Sequence, residues 1–265
     1  MDSNENVLDN IPYILVMYSK STEVKYMNIA LIFAGGTGQR MNSKSRPKQF
    51  LELYGKPILV HTLEYFEEHS QIDMICIVCL KGWEEELKKQ LKQYQIEKVK
   101  WIVPGGETGH DSIYNGLQVL KKDCAPDDIV LIHDGVRPLI SEELITVNIE
   151  TVKKYGNAIT AEDAAESVVV MTSPNGVIGD IPQRELAKIA KAPQCFYLKD
   201  ICEVHELAQK DGFKSIDSSH LMHRYGRELH TVKSTPYNIK IATPSDYYVF
   251  RAIYEARENS QIFGL

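Results

Sequence analysis

The sequence predicts an α/β protein in which helices cover both faces of a mostly parallel sheet. Short aliphatic and β-branched runs alternate with longer amphipathic stretches. The short runs are apolar almost throughout, which is typical of strands buried on both faces. With 265 residues, 43% of them hydrophobic and 25% charged, the chain can bury the core of one large domain. The same composition excludes a collagen-like, mucin-like or mainly disordered protein.

Strands and helices alternate regularly in the first half of the chain. Pro57 stands at the first position of the first predicted helix, where a missing N–H group is tolerated. Ligands of parallel sheets bind at the carboxyl ends of the strands, so the loops that follow the strands are where chemistry is expected. Strands are predicted at residues 29–33, 75–80, 99–103 and 129–133, and helices at 57–69, 83–94, 111–121 and 142–155.

The alternation breaks between Asp163 and Gln194. Apolar runs flank a Ser-Pro-Asn-Gly turn at residues 173–176, which predicts a β-hairpin in a projecting arm of about residues 163–190. The remaining predicted elements are a helix at 198–210, a polar turn at 217–219, strands at 229–233 and 238–242, and a helix that begins at Pro244.

Residues 27–265 are predicted to form the single domain, and residues 1–26 an extension that the fold does not require. The alternative for this extension is an added strand or a partner-binding arm. Its apolar stretch, residues 11–18, is too short to span a bilayer and follows acidic residues, which argues against a secretion signal.

Charge and cysteine content predict a cytoplasmic protein that binds neither nucleic acid nor membranes. The formal net charge of −6 disfavours broad contact with an anionic partner. Five cysteines show no disulfide framework, which favours a reducing compartment. Cys76 and Cys79 lie in an apolar run and are predicted to be core residues rather than a redox or zinc motif. His220 and His223 are interpreted as solvated helix residues rather than metal ligands.

A glycine-rich loop at residues 34–41 follows the first predicted strand, and a stretch rich in cations begins at its end. Arg40, Lys44, Arg46 and Lys48 lie within nine residues. The glycine spacing fits neither the dinucleotide fingerprint nor the P-loop. Glycines let backbone N–H groups approach phosphates, and the cations suit a triphosphate whose charge must be neutralised. A solvated basic loop after a tight turn is the alternative interpretation.

Two further loops at strand ends carry candidate binding residues. Residues 104–112, called the base loop below, contain glycines through which backbone groups can meet a flat base edge. Asp111 or Ser112 is placed to cap the next helix. Residues 133–138 put an acidic and a basic residue at the end of a buried strand, which suits a metal–phosphate complex. A local salt bridge at a helix entry is the alternative for this third loop.

These loops belong to a longer set of motifs that occur in order along the chain. The motifs are Ala34-Gly35-Gly36-x-Gly38-x-Arg40-Met41, Pro47-Lys48-Gln49-Phe50, Gly55-Lys56-Pro57-Ile58-Leu59, Gly105-Gly106 with Ser112, His133-Asp134-x-x-Arg137-Pro138, Arg184, Pro193-Gln194 and Asn238-Ile239-Lys240. With this set, from Met27 to about Asp246, the chain resembles the cytidylyltransferases that act on methylerythritol phosphate and on ribitol phosphate. The resemblance implies a Rossmann-like sheet of the nucleotide-diphospho-sugar transferase type, with the hairpin as a dimerisation arm.

The resemblance also implies a reaction. The phosphate of a sugar-alcohol phosphate attacks the α-phosphorus of CTP, releases pyrophosphate and leaves a CDP-alditol. It implies Mg²⁺ as cofactor, held mainly by the CTP phosphates with Asp134 as a further ligand, and a homodimer in which Arg184 reaches the site of the partner. The implied catalytic residues are Arg40, Lys48 and Lys240. The implied nucleotide-binding residues are Ala34, Gly35, Gly36, Thr37, Gly38, Gly105, Gly106, Glu107, Ser112 and Asp134, and the implied acceptor-binding residues are Arg137, Ser167 and Arg184.

Departures from the family pattern lie mostly on the acceptor side. Ser167 and Ala192 stand where threonine is usual, and Gly109 stands where the base loop usually has arginine. A linear alditol offers hydroxyl groups that short polar side chains can meet. The predicted acceptor is therefore D-ribitol 5-phosphate or another unbranched alditol phosphate, used for a surface polymer such as teichoic acid or capsule. The alternatives are the methylerythritol phosphate enzyme of isoprenoid synthesis and a nucleotide-binding regulator without turnover.

Overall fold

Strands and helices alternate along the described part of the chain, which is residues 14–15, 26–36, 46–174 and 176–263 of the computed structural model. The strands are β1 (Ile14–Leu15), β2 (Asn28–Ala34), β3 (Glu52–Leu53), β4 (Lys56–Pro57), β5 (Met74–Cys79), β6 (Val99–Pro104), β7 (Ile129–Asp134), β8 (Asn157–Asp163), β9 (Val170–Met171), β10 (Ile178–Asp180), β11 (Lys188–Tyr197) and β12 (Thr231–Lys233). The helices are α1 (Ile58–Glu68), α2 (Glu84–Gln93), α3 (Gly109–Asp123), α4 (Glu142–Tyr155), α5 (Leu198–Asp211), α6 (Ser218–Arg224) and α7 (Pro244–Phe263).

The central sheet has the strand order β1-β6-β5-β2-β7-β11-β8-β12. Strands β6, β5, β2 and β7 run parallel, whereas β11 is inserted antiparallel between β7 and β8. The chain passes from β2 to β5 on one side and later reaches β7 on the other. The carboxyl ends of β2 and β7 therefore form a topological switch point, which is where open α/β sheets bind ligands. The predicted mostly parallel sheet is confirmed.

The core consists of two apolar layers on opposite faces of the sheet. Successive strand residues point to opposite faces, so Ala30 and Ile32 pack with α1 and α4 while Ile29 and Leu31 pack with α3 and α5. The two cysteines of β5 divide in the same way, with Cys79 in the first layer and Cys76 in the second. Both are fully buried, and burial raises the pKa of the Cys79 thiol to about 12. Their predicted place in the core is confirmed.

The structure corrects several local predictions in the second half of the chain. Residues 238–242 do not form a strand, because Ile241 N–H donates to the carbonyl of Val136 in the loop after β7, at 2.8 Å. The predicted polar turn begins α6, which the Asp217 carboxylate caps by accepting from His220 N–H at 2.8 Å. Strands β8 and β11 were not predicted, since polar residues interrupt their apolar pattern.

The predicted hairpin is confirmed as β9 paired antiparallel with β10. Its apolar side chains are exposed, and that of Leu186, in the 3₁₀ turn that follows, is 76% exposed. Monomeric proteins rarely expose so many apolar side chains in one region, so the arm favours contact with another protein surface. The exposed apolar residues are Val169, Val170, Met171, Val177, Ile178, Ile181, Leu186 and Ile189.

The predicted extension, residues 1–26, lies mostly outside the described residues. Its described strand β1 pairs antiparallel with the outer edge of β6, with Ile14 opposite Ile102. That the fold does not require the extension stays a prediction. Within the described ranges, no helix combines the length and the apolar character that crossing a membrane requires.

Helix α3 approaches the sheet closely at Gly116. A Cβ atom at this position would lie 2.9 Å from a methyl group of Leu31 and 2.9 Å from one of Val78. The glycine thus lets α3 lie against β2 and β5, which fixes the helix that follows the loop at residues 104–108.

We expect Gly116→Val to lower the free energy of unfolding by about 1–3 kcal/mol, because the added side chain overpacks this contact. Urea denaturation measures the change. The matched control is Gly109→Val on the same helix, where an added Cβ atom meets nothing within 4 Å and the expected change is below about 0.5 kcal/mol. Equal effects of the two substitutions would contradict the close packing at Gly116.

Candidate active site

A cavity of about 310 Å³ opens at the carboxyl ends of β2 and β7. Three cationic side chains and two carboxylates line it among apolar residues, so its charged groups are mainly positive. The described lining residues are Phe33, Gly109, Ile113, Ile132, Asp134, Arg137, Ala190, Lys191, Ala192, Gln194, Ile216, Asp217, Ser218 and Lys240.

Asp134 is the buried anion at the centre of this wall. Lys240 Nζ lies 2.5 Å from its Oδ1, and the Arg137 guanidinium lies 3.1 Å from its Oδ2. Burial by itself would raise the pKa of the Asp134 carboxyl, but Lys240 and Arg137 lower it to about 2. Asp134 is therefore ionised at neutral pH and holds two cations in place.

Arg137 ties this cluster to more distant parts of the chain. Its Nη1 donates to the carbonyl of Asn238 at 2.7 Å, and its carbonyl accepts from His133 Nε2 at 3.1 Å. The Asn238 side-chain amide donates in turn to the carbonyl of Ala192 at 2.8 Å. The segment that carries Lys240 is thereby fixed between β7 and β11.

The two predicted glycine loops lie directly against each other. A Cβ atom at Gly105 would come within 3.0 Å of the Gly35 Cα atom, and one at Gly35 would come within 3.0 Å of Ser112 Oγ. Gly106 N–H donates to Ser112 Oγ at 3.1 Å. Neither loop has room for a side chain at this contact, so both offer bare backbone there, as a phosphate or base site requires.

The cap of α3 differs from the prediction. Thr108, not Asp111 or Ser112, is the N-cap, and it exchanges hydrogen bonds with Asp111 in a capping box. Ser112 instead supports the base loop. Glu107 is exposed on this loop, and its predicted role in nucleotide binding stays a prediction.

The structure brings only part of the predicted cationic loop to the site. Lys48 Nζ donates to the carbonyl of Ile241 at 3.1 Å, next to the segment of Lys240. Arg46 instead pairs with Glu52 and Glu86. The predicted residues Thr37, Gly38, Arg40 and Lys44 lie outside the described residues.

The two predicted acceptor residues of the arm are not in the cavity. Ser167 and Arg184 are exposed, and neither is among the lining residues. Arg184 lies in a short 3₁₀ turn after β10. Their acceptor-binding roles, assigned with a partner subunit in mind, stay predictions.

Three side chains of the site had no role in the sequence interpretation. Gln49 is buried and donates to the carbonyls of Ala34 (2.6 Å) and Gly36 (3.2 Å), so it shapes the loop after β2. Gln49 and Asn238 belong to the motifs of the resemblance, which was the available signal. Lys191 had no signal in the sequence.

A layer of buried rings supports the base loop from behind. The His110 ring lies 4.7 Å from the His205 ring, and His110 Nδ1 accepts from Ser215 N–H at 3.4 Å. Among the described residues, His205 has no hydrogen-bond partner for either ring nitrogen. Burial, together with the neighbouring His110, lowers the pKa of His205 to about 3.

Fold and site together define a nucleotide-binding α/β protein, with bare glycine loops and clustered cations at the switch point of the sheet. Residues 28–256 match the model of the family IspD, 2-C-methyl-D-erythritol 4-phosphate cytidylyltransferase. The chain belongs to this family of cytidylyltransferases, as its motifs predict.

Named relatives fall into two groups. A ribitol-5-phosphate cytidylyltransferase of Vibrio parahaemolyticus is 48% identical over 239 residues, which is 90% of this chain and 100% of the relative. A 2-C-methyl-D-erythritol 4-phosphate cytidylyltransferase of Clostridium botulinum is 38% identical over 228 residues, 86% of this chain and 97% of the relative. The crystal structure of 4-diphosphocytidyl-2C-methyl-D-erythritol synthase from Anaerococcus prevotii is similar with a TM-score of 0.75 and 30% identity, covering 87% of this chain and 96% of that one.

We expect His205→Phe to weaken the pH dependence of stability. Between about pH 6.5 and pH 3 the unfolded chain protonates this histidine while the folded protein keeps it neutral, so acid lowers the free energy of unfolding of the wild type. Replacing the ring removes this loss. From pH 7 to pH 5 the variant should therefore gain about 2 kcal/mol relative to the wild type.

Urea denaturation at both pH values measures this gain. His223→Phe is the control, since His223 is exposed on α6, and it should follow the wild-type profile. A constant difference between His205→Phe and the wild type at pH 7 and pH 5 would disprove that His205 is held neutral.

Proposed function

We propose that the chain is a CTP-dependent cytidylyltransferase that converts D-ribitol 5-phosphate into CDP-ribitol with release of pyrophosphate. The observation that carries the proposal is the cluster of Asp134 with Arg137 and Lys240 in the cavity at the carboxyl ends of β2 and β7. The acceptor follows from the relatives. Those named for ribitol 5-phosphate are 48% identical over their full length, against 38% for one named for methylerythritol phosphate.

In this proposal the acceptor phosphate is the nucleophile. One of its oxygens bonds to the α-phosphorus of CTP, the bond from the α-phosphorus to the bridging oxygen breaks, and pyrophosphate leaves with that oxygen. A phosphate monoester is already largely ionised near pH 7, so the site needs no general base. Asp134, with a pKa of about 2, is correspondingly unsuited to accept a proton there.

Positioned cations supply the catalysis. Lys240, which is 40% exposed, projects from the Asp134 cluster and can contact the reacting phosphates. Lys48 approaches the same segment, and Arg40 is assigned to the same group by the family motif. Fixed positive charges of this kind stabilise the charge that develops on the α-phosphate.

Mg²⁺ is the proposed cofactor. Asp134, the buried carboxylate at the end of β7, would contribute an oxygen ligand that it shares with Lys240 and Arg137, so it would not hold the ion alone. Mg²⁺ commonly binds one or two carboxylates plus substrate phosphates, so a single carboxylate fits an ion held mainly by CTP. When bound, the ion would neutralise charge on the triphosphate.

The base loop is proposed to select cytosine. Gly105 and Gly106 leave backbone groups uncovered, and carbonyl groups there can accept from the exocyclic amine of cytosine, which uracil lacks. Thr108, Asp111 and Ser112 fix the shape of the loop through the hydrogen bonds described above. Preference for CTP thus rests on backbone rather than on side chains.

A homodimer is proposed to complete the acceptor site. The arm exposes eight apolar side chains, and it carries Arg184 and Ser167 outside the cavity of their own chain. If the arm packs on a second copy, an exposed arginine can reach the site of that copy. A reducing cytoplasm is the proposed compartment, in agreement with the five free cysteines.

We expect D-ribitol 5-phosphate to be used with a kcat/KM at least about tenfold above that of 2-C-methyl-D-erythritol 4-phosphate, a difference of about 1.4 kcal/mol. Steady-state pyrophosphate release at saturating CTP and Mg²⁺ measures both values. A preference for the branched acceptor would replace the proposed substrate with the alternative. An absence of turnover with both acceptors would favour the alternative that the chain is a nucleotide-binding regulator.

We expect mixed dimers of Lys48→Ala and Arg184→Ala subunits to recover activity that each variant lacks alone, because one site in a mixed dimer keeps both side chains. Each single variant should lose at least about a hundredfold in kcat, the scale for removing one charge-stabilising group. The control is a mixture of Lys48→Ala subunits carrying two different tags. Proven exchange of subunits without recovery would place Arg184 in the site of its own chain.

A further inference from the structure

Lys191 enters the cavity from an irregularity in the sheet. Ala190 of β11 pairs with Ala161 of β8, and the next pair joins Gln194 to Ile159. Three residues of β11 thus stand opposite the single residue Thr160. Bulges of this kind redirect side chains and occur often next to active sites. Lys191 is the charged residue within this one, and it lines the cavity.

The Lys191 side chain is held in place and nearly buried. It is 10% exposed, and its ammonium group forms an ion pair with the Glu162 carboxylate of β8, which is 22% exposed. Its Nζ also lies 3.5 Å from the carbonyl of Thr235. Lysine is seldom buried to this extent unless it is paired. Ordering the ammonium group there carries a desolvation cost that a pair of this kind only partly offsets.

The position of this ion pair within the site indicates which substrate it contacts. The base loop follows β6, and the Asp134 cluster stands at the end of β7. The Lys191–Glu162 pair lies on the other side of β7 from the base loop, with Lys191 on the adjacent strand β11 and Glu162 on β8 beyond it. A nucleotide that extends from the base loop to the Asp134 cluster leaves this end of the cavity to the acceptor.

We propose that Lys191, oriented by its ion pair with Glu162, binds the hydroxyl chain of the acceptor and sets its specificity, an inference that rests on the proposed function. An ammonium group donates hydrogen bonds and a carboxylate accepts them. Glu162 holds the ammonium group of Lys191 in place, and that group can still donate to the hydroxyl oxygens of a polyol in the cavity. An acceptor with an apolar branch there would cover the ammonium group without accepting a hydrogen bond from it, which a closed site penalises.

Lys191→Met tests the inference in the full-length enzyme. It keeps the length and the apolar stem of the side chain and removes its charge. We expect the KM for D-ribitol 5-phosphate to rise at least about tenfold, while the KM for CTP stays within about twofold. Lys191→Arg, which restores a donor, should recover part of the affinity. Lys191→Gln provides a second neutral variant if thermal unfolding shows that the methionine variant is not folded.

Lys233→Met is the matched control. Lys233 pairs with Asp163, the neighbour of Glu162 on β8, at 3.3 Å, but it is 81% exposed and does not line the cavity. Its substitution should leave both KM values unchanged. A rise in the KM for CTP, or an unchanged KM for the acceptor in a folded Lys191 variant, would overturn the inference. A wild-type enzyme that uses no alditol phosphate would instead refute the proposed function, so the two failures are distinguishable.

Discussion

The ion pairs of Asp134 are the constraint on which the site depends. The pair with Lys240 joins the end of β7 to a segment about a hundred residues later. The pair with Arg137 is local and buried, and Arg137 reaches the same segment by donating to the Asn238 carbonyl. Buried ion pairs give little net stability, but removal of one partner leaves an uncompensated charge that costs about 3–5 kcal/mol. The segment with Lys240 has no strand pairing of its own, so these pairs and the hydrogen bonds of Asn238 replace the sheet as its support.

A cationic site must hold its positive charges close together and also present them to the substrate, and this arrangement assigns the two tasks to different groups. Cations that bind phosphate repel one another before the substrate arrives, and a fixed buried anion relieves that repulsion. Because its pKa is about 2, Asp134 keeps its charge across the physiological range. Lys240 is 40% exposed and Arg137 is 8% exposed, so Lys240 is the more accessible of the two cations. Arg137 also lines the cavity, and its acceptor-binding role stays a prediction.

The sequence predicted the parts of the fold whose residues follow a simple period. Strands β2, β5, β6 and β7 are continuous apolar runs, and the helices between them are amphipathic, so both were recognisable. Strands β8 and β11 were missed because Asn157, Thr160 and Gln194 are polar yet buried. Each has a hydrogen-bond partner: Thr160 and Asn148 bond to each other, Asn157 bonds the chain before β12, and Gln194 Oε1 accepts from Ser219 N–H at 2.8 Å. Such pairings join residues far apart in sequence and leave no periodic pattern.

The residues of the site also differ in whether the sequence could reveal them. Glycine loops and the acid–base pair at the end of β7 were visible because each is contained in a short motif. Lys191 was not, since its position in the cavity depends on a bulge that is defined by pairing with β8. The replacement of the predicted strand at 238–242 by a segment bonded to the Val136 loop has the same origin. Sequence motifs identify the residue types of a site, whereas the register between strands determines which side chains enter the cavity.

The contact between Gly35 and Gly105 has a consequence for how the protein can diverge. A side chain at either position would crowd the other loop, because a Cβ atom at Gly35 would lie 3.0 Å from Ser112 Oγ and one at Gly105 would lie 3.0 Å from the Gly35 Cα atom. Substitutions that alter nucleotide preference are therefore accommodated more easily at the margins of the described loops than at this contact. Gly109 is such a margin, since it borders the cavity and has free space around it. A substitution that changes base specificity can be accommodated at Gly109, whereas Gly35 and Gly105 are constrained by their contact.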